Sequence, residues 1–284
     1  MSKVILITGT SSGFGKLTAA TLAKDGHTII ATMRETKGKN QASAEELGAI
    51  NGVEIVEMDI NTDASVEAAF ESVFSKHPKL DVLINNAAVT GFGPAEGYSI
   101  HLIKKMFETN FFGVLRTYDA VLPKMRAAKD GLIINLSTGA GGFALPYMVP
   151  YFASKFAMET LVEGINSELR TFGIENVSIP CGVYPTGMAE KGGFNADNDA
   201  IVGAYTDYGP RMEGLGASLY GKMKDFNMDP QTIADGIKHL VDMEKGTRPL
   251  RYPLDAIAQG TDQEFIDAKA SIKVKWAAKY GFDI

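Results

Sequence analysis

Short apolar runs alternate with longer amphipathic stretches along most of the chain. The runs 3–8, 28–32, 53–57, 81–85, 131–137 and 176–180 are compact and rich in β-branched residues, and each predicts a strand. The stretches 14–25, 42–50, 63–77, 98–127, 151–172 and 231–244 have helical spacing of their apolar positions. Such alternation predicts the α/β class, with a doubly wound parallel sheet covered on both faces. Lys3-Val4-Ile5-Leu6-Ile7-Thr8 is apolar almost throughout, as a strand buried on both faces must be. No internal repeat and no linker divides the chain, so 1–284 reads as a single domain. Within it, 188–227 is rich in glycine and methionine and carries Phe194, Tyr205, Tyr208, Met212, Leu219, Tyr220, Met223 and Phe226. That segment reads either as a substrate lid or as a packed surface loop.

Ligands of such sheets bind beyond the carboxyl ends of the strands, near the switch point of the topology. Candidate residues stand at those ends. Gly9 follows the first strand, Asp59 the third, Asn86 the fourth, Thr138 the fifth and Gly182 the sixth. The first strand runs into Gly9-Thr10-Ser11-Ser12-Gly13-Phe14-Gly15 and then a helical pattern. Glycines let a backbone approach a pyrophosphate, and a helix amino terminus supplies N–H groups and a positive dipole end. The spacing Gly-x-x-x-Gly-x-Gly differs from the commonest dinucleotide fingerprint, and a merely flexible turn is the alternative reading. Further on, Pro150-Tyr151-Phe152-Ala153-Ser154-Lys155 opens a helix, with Pro150 suited to its first turn. Tyr151 and Lys155 are four residues apart and share a face. An ammonium beside a phenol favours the phenolate, and a tuned tyrosine can exchange a proton with an alcohol oxygen.

Taken in order, these motifs resemble the short-chain dehydrogenase/reductase family. Its Thr-Gly-x-x-x-Gly-x-Gly matches Thr8 to Gly15, and its Asn-Asn-Ala-Gly matches Asn85-Asn86-Ala87-Ala88, with alanine last. Its asparagine in an Asn-x-x-Gly context matches Asn110, and its Tyr-x-x-x-Lys matches Tyr151 and Lys155. Its Pro-Gly-x-x-x-Thr matches Cys181 to Thr186, with cysteine in place of proline. The resemblance covers residues 3 to about 186, and the looser tail is similar to members with an extended substrate region. Ala-Thr-Met-Arg at 31–34 and the segment around Tyr151 look like the hydroxysteroid and retinol dehydrogenase branch.

The resemblance implies a Rossmann fold and reversible hydride transfer between a nicotinamide and a carbonyl/alcohol pair. Tyr151 is then the general acid, and Lys155 lowers the phenol and holds the nicotinamide ribose. Asn110 positions a water that links Lys155 to solvent. The hydroxyl that polarises the carbonyl stands thirteen residues before the tyrosine in the family, which selects Thr138 over its neighbour Ser137. Adjacent strand residues face opposite ways, so the roles exchange if the following loop slips by one. The cofactor would lie against Gly9, Ser11, Ser12, Gly13, Phe14 and Gly15. Asp59 and Ile60 with Asn86, Ala87 and Ala88 would line the adenosine, and Gly182, Val183 and Thr186 the nicotinamide. At the end of the second strand, Met33 holds the approximate position where a carboxylate would select NAD. Arg34 follows it and can pair with the 2′-phosphate of NADP, so NADP is expected and NAD stays possible.

Composition narrows the classes. The net charge of −6 argues against a nucleic-acid partner, which would select a basic footprint. A single cysteine excludes an internal disulfide, and no cysteine/histidine cluster has zinc spacing, so no metal is expected. His27, His77, His101 and His239 read as ordinary surface or helix residues. No apolar run reaches membrane-spanning length, and the first strand begins at Lys3, which points to the cytoplasm. The substrate implied by the branch is a bulky apolar alcohol or ketone, and family members are often dimers or tetramers. Two rivals remain: a dinucleotide-binding sensor or scaffold without turnover, and, less well matched, a nucleotide-sugar epimerase.

Overall fold

A computed structural model of the chain describes residues 2–139, 142–188 and 193–282. Six strands form one parallel sheet: β1 (Val4–Thr8), β2 (Thr28–Met33), β3 (Val53–Glu57), β4 (Val82–Asn85), β5 (Gly131–Leu136) and β6 (Ile174–Ile179). Their order is β3-β2-β1-β4-β5-β6. β1 pairs with β2 from Val4 opposite Thr28, and with β4 from Ile5 opposite Val82. The chain therefore winds outward from β1 to β3 and restarts at β4 on the other side of β1. That restart leaves a crevice at the carboxyl ends of β1 and β4.

Alternation within the strands builds two cores. Ile5 and Ile7 of β1 face α1 (Gly13–Lys24), with Leu22, and a late helix, 231–242, with Ile233, Ile237 and Leu240. Leu6 faces the opposite layer with Val66, Phe70, Val114, Tyr118 and Val162. Between α1 and α3 (Asp63–Lys76) lies α2 (Gln41–Gly48). The predicted helix 98–127 is α4 (Ile100–Phe107), a π-helical turn Glu108–Phe112, and α5 (Gly113–Ala128). The helix predicted from 151 begins two residues earlier, as α6 (Val149–Arg170). Beyond β6 come α7 (Asp199–Ala204), α8 (Tyr208–Asp225), α9 (Gln231–Asp242) and α10 (Thr261–Lys279).

The helices α7, α8 and α10 were not expected from the apolar pattern. None of the residues of α7 or α8 is buried, and α10 buries only Ala277, so these helices lack the stripe that periodicity detects. Four residues of the predicted lid, 189–192, lie outside the described residues. Its remainder runs back over the loop after β4: Phe194 N donates to Thr90 O at 2.7 Å, and Ala196 N to Phe92 O at 3.0 Å. One reading of the sequence is corrected here. His27 is buried, and its Nδ1 accepts from Lys3 N at 3.2 Å, because the turn after α1 folds under the start of β1.

A polar ladder crosses the middle of this apolar sheet. Asn85 Nδ2 donates to Asn135 Oδ1 at 3.0 Å, and Asn135 Nδ2 to Asn176 Oδ1 at 2.9 Å. The Tyr118 hydroxyl donates to Asn176 Oδ1 at 2.9 Å, and Asn176 Nδ2 reaches Val162 O at 3.1 Å. Each amide satisfies the next across β4, β5 and β6, which is the condition for polar groups in a core. Asn135→Ala breaks the ladder at its centre and strands the Asn85 amide. We expect it to lower the unfolding free energy by about 1–3 kcal/mol, the cost of an unpaired buried polar group. Urea unfolding measures this, and a loss under about 0.5 kcal/mol would show the ladder to be energetically idle.

Candidate active site

Two backbones meet at the crevice, and the contact requires glycine. Gly9 and Gly13 have φ of 71° and 57°, in the left-handed region. A Cβ on Gly9 would come within 2.8 Å of Ala87 Cα, and one on Gly15 within 2.5 Å of Asn86 Nδ2. The contact is fastened by Thr8 and Asn86. The Thr8 hydroxyl accepts from Asn86 N and Ala87 N, both at 3.0 Å. In return Asn86 Nδ2 donates to Thr8 O at 2.8 Å and Gly9 O at 3.0 Å. No side chain caps the amino terminus of α1 at Ser12, so its first N–H groups stay open to an anion. Cradle and open helix end together fit a dinucleotide pyrophosphate. Ser11 is tied through its carbonyl to Ser43 Oγ at 2.9 Å, and the Phe14 ring meets Tyr184 edge-on at 5.5 Å.

The other predicted contacts surround this cradle unevenly. Thr186 lies against Gly13, whose added Cβ would be 3.4 Å from Thr186 Cβ. Gly182 packs on Asp255, where a Cβ would fall 2.4 Å from Asp255 Cγ, and Val183 is exposed. Ala88 is half-buried in the loop after β4. Arg34 follows β2 as an exposed side chain, with Nη1 at 4.0 Å from Asp59 Oδ2. Met33 is buried and presents nothing to that surface. Ile60 turns its side chain into the core against Gly113, so only its backbone remains near the crevice edge.

Across the crevice stand the candidate catalytic groups. Asn110 sits in the π-helical turn, an irregularity that re-aims its side chain. Its Oδ1 accepts from Val89 N at 2.9 Å, and its Nδ2 donates to Val89 O and Ser154 Oγ, each at 2.9 Å. Lys155 is buried and donates to Leu136 O at 2.9 Å. Tyr147, with φ of 62°, strains the loop just before α6, and its ring packs at 5.0 Å on Tyr208 of α8. The predicted lid segment thereby touches the loop that leads into α6.

Thr138 and Ser137 separate as neighbours on a strand end must. The Ser137 hydroxyl is buried and has no hydrogen-bond partner among the described residues, and its carbonyl accepts from Cys181 Sγ at 2.9 Å. The Thr138 hydroxyl instead stands near the Tyr151 phenol and favours its ionised form. The phenol nonetheless lies above its ordinary value, chiefly because it is buried and secondly because Cys181 adds to the rise. This corrects the expectation that Lys155 lowers it: burial dominates. Burial also pushes Lys155 down to about 8 and the Cys181 thiol up to about 11.

Sequence reasoning left Thr8, Ser154 and Asp255 without roles in the site. Thr8 was inside a quoted motif, and its strand-end position was the available signal. Nothing in the sequence pointed to Asp255, which arrives from 73 residues beyond Gly182.

Residues 3–195 match the short chain dehydrogenase family. The chain is a short-chain dehydrogenase/reductase. It is 36% identical over 206 residues to a 3-ketodihydrosphingosine reductase of Bacteroides thetaiotaomicron, covering 72% of this chain and 71% of that protein. It is 35% identical over 196 residues to the estradiol 17-beta-dehydrogenase 1 of Rattus norvegicus, covering 67% of this chain but only 56% of the rat protein. A short-chain dehydrogenase from Streptomyces avermitilis superposes with a TM-score of 0.77 at 26% identity, over 100% of this chain and 99% of that one. This short-chain dehydrogenase is accordingly an oxidoreductase of alcohols and carbonyls with an NAD(P)-binding Rossmann-type sheet. No helix among its described residues is long and apolar enough to cross a membrane. Among the same residues no group of three potential ligands could hold a metal.

Proposed function

We propose that this enzyme uses NADPH to reduce a bulky, apolar ketone or aldehyde, with Tyr151 as the acid. The observation that carries the reading is the Tyr151 phenol beside the Thr138 hydroxyl, with Lys155 buried one turn further along α6. Thr138 Oγ1 donates to the carbonyl oxygen and draws charge onto it. Tyr151 delivers its proton to that oxygen as negative charge develops there. A phenol held above its ordinary value is protonated at neutral pH, as the proton donor of a reduction must be. Asn110 holds the Val89 backbone and Ser154 in register with the tyrosine, and any water it orients would link Lys155 to solvent. The bound dinucleotide supplies the hydride.

Gly9, Ser11, Ser12, Gly13, Phe14 and Gly15 would hold its pyrophosphate, with Asp59, Ile60, Asn86, Ala87 and Ala88 on the adenosine. Gly182, Val183, Thr186 and Lys155 would hold the nicotinamide end. NADPH is favoured because Arg34 offers an exposed guanidinium and buried Met33 leaves no carboxylate in its place. Apolar substrates are favoured by exposed Phe143, Leu145 and Val149 on the loop between Thr138 and Tyr151, and by Val183 and Met188 beyond β6. The names of the sphingoid and steroid relatives point the same way. The segment 193–227 serves as the lid over this mouth. A homo-oligomer is expected by family likeness.

Tyr151→Phe should bind NADPH nearly as well as the parent and lose turnover by about 10²–10⁴-fold, as for a missing general acid. Steady-state ketone reduction checks this: near-full activity of the variant would end the mechanism, and a parent protein without turnover would revive the sensor reading. Thr138→Ala should lose far more turnover than Ser137→Ala, while Thr138→Ser stays active. The reverse ranking would mean that Ser137 is the donor. Arg34→Ala should weaken NADPH use by about 10- to 150-fold and barely touch NADH, since a hydrogen bond to a charged group contributes about 1.5–3 kcal/mol. Equal efficiencies of the parent enzyme with both cofactors would count against the assignment.

A further inference from the structure

Lys155, Glu159 and Glu163 follow one another at four-residue intervals along one face of α6. Lys155 and Glu159 are both 3% exposed, so a cation and an acid are buried one turn apart. A buried carboxylate without a partner is expensive, and Glu159 has two partners. Its Oε1 accepts from Ser178 Oγ of β6, and its Oε2 lies 2.9 Å from Arg251 Nε. Arg251 extends the chain of charges, with Nη2 at 2.6 Å from Glu163 Oε2. Glu163 finally meets α10, at 2.8 Å from Lys273 Nζ and 3.3 Å from Lys269 Nζ. The cations on it hold the Glu163 carboxyl down at about 2.

The backbone fixes the reach of Arg251. Ser178 N donates to Leu250 O at 2.8 Å, and Tyr252 N to Ser178 O at 2.9 Å, so 250–252 runs along β6 like a short extra strand. Residues 250–279 lie beyond the 3–195 that match the family. Glu159, Arg251 and Lys269 also line a small cavity, about 20 Å³, that opens on Thr138. One ion-pair chain thus borders both the lysine and the hydroxyl of the site.

We propose that Glu159 is a positioning residue for Lys155, itself held in the interior by Ser178 and Arg251. The carboxy-terminal arm thereby sets the charge on the lysine of the catalytic helix. The inference rests on the functional reading of Lys155 given above. The other groups around Lys155 do not supply that charge. Leu136 of β5 offers a neutral carbonyl, Asn110 of the π-helical turn a neutral amide through Ser154, and Tyr151 of its own helix a phenol that stays protonated. Cys181, beyond β6, is a neutral thiol at neutral pH because it is pushed up to about 11, and Asp255 acts on Cys181 rather than on the lysine. Among the described residues Glu159 is then the carboxyl group that acts on Lys155, and it works against the fall that burial imposes.

The test is a titration of the Lys155 side chain in the full chain, by NMR of carbon-13-labelled lysines, with Lys155→Arg used to assign the signal. Glu159→Gln keeps the bond to Ser178 but removes the charge and leaves Arg251 less balanced. Both changes push the same way, so the Lys155 midpoint should fall by about one pH unit, the usual effect of one nearby charge. Glu159→Gln combined with Arg251→Met removes both charges and should leave the midpoint lowered, because Glu159 is the member of the chain that acts on Lys155. Glu163→Gln, at the outer end of the chain, should lower it less and serves as the test if Glu159→Gln does not fold. An unmoved midpoint in whichever variant folds, with only a lower melting temperature, would reduce Glu159 to a packing role and overturn the proposal. The titration needs no turnover, so an inactive parent enzyme would sink the catalytic reading without deciding this one.

Discussion

The hydrogen bonds between Thr8 and Asn86 fasten the two halves of the sheet at the point where the site opens. Parallel strands that separate at a switch point leave their loops diverging, and the crevice between them has no width of its own. Here one hydroxyl accepts two backbone N–H groups from the neighbouring loop, and one amide donates to two carbonyls in return. The four bonds pull the glycine turn against Ala87 until only hydrogen fits on Gly9 and Gly15. The cradle is therefore made by polar contacts and bounded by steric ones. The open amino terminus of α1 points into it because the turn that precedes it cannot move away.

Around this edge the candidate catalytic groups are placed by structures of different kinds. Lys155 is held from below by the carbonyl of Leu136, at the end of the most buried strand. Asn110 is held by a π-helical turn and by three hydrogen bonds to the loop after β4 and to α6. Thr138 and Tyr151, by contrast, flank a surface loop strained at Tyr147 and touched by α8. Deep anchoring of the charged and amide groups, with a surface loop beside the hydroxyls, is the arrangement expected where a scaffold is constant and substrates vary. It also agrees with the relatives, which match 72% and 67% of the chain and are named for different substrates.

The electrostatics follow from burial more than from charge. Tyr151 lies above its ordinary value despite a lysine one turn away, and Lys155 itself is pushed down to about 8. Desolvation acts on both, and it penalises the phenolate and the ammonium alike. Ionised groups survive nearby only where they are paired, as along Glu159, Arg251 and Glu163. That network draws the end of the chain into the neighbourhood of its catalytic helix.

The strands, the core helices and most of the site were legible in the sequence, because each is written locally. A strand buried on both faces must be apolar, a turn that meets another backbone must be glycine, and a helix face recurs every three or four residues. Those constraints were enough to locate Gly9 to Gly15, Tyr151 and Lys155, and to order them along the sheet. Tertiary structure decided what depends on residues distant in sequence. It decided that Ile60 turns inward on Gly113, that His27 is buried, that α8 and α10 are helices without a buried stripe, and that Tyr151 is raised rather than lowered. It also brought Asp255 onto Gly182 and Arg251 onto Glu159. Burial and pairing are sums over neighbours from the whole chain, and no local pattern carries that sum.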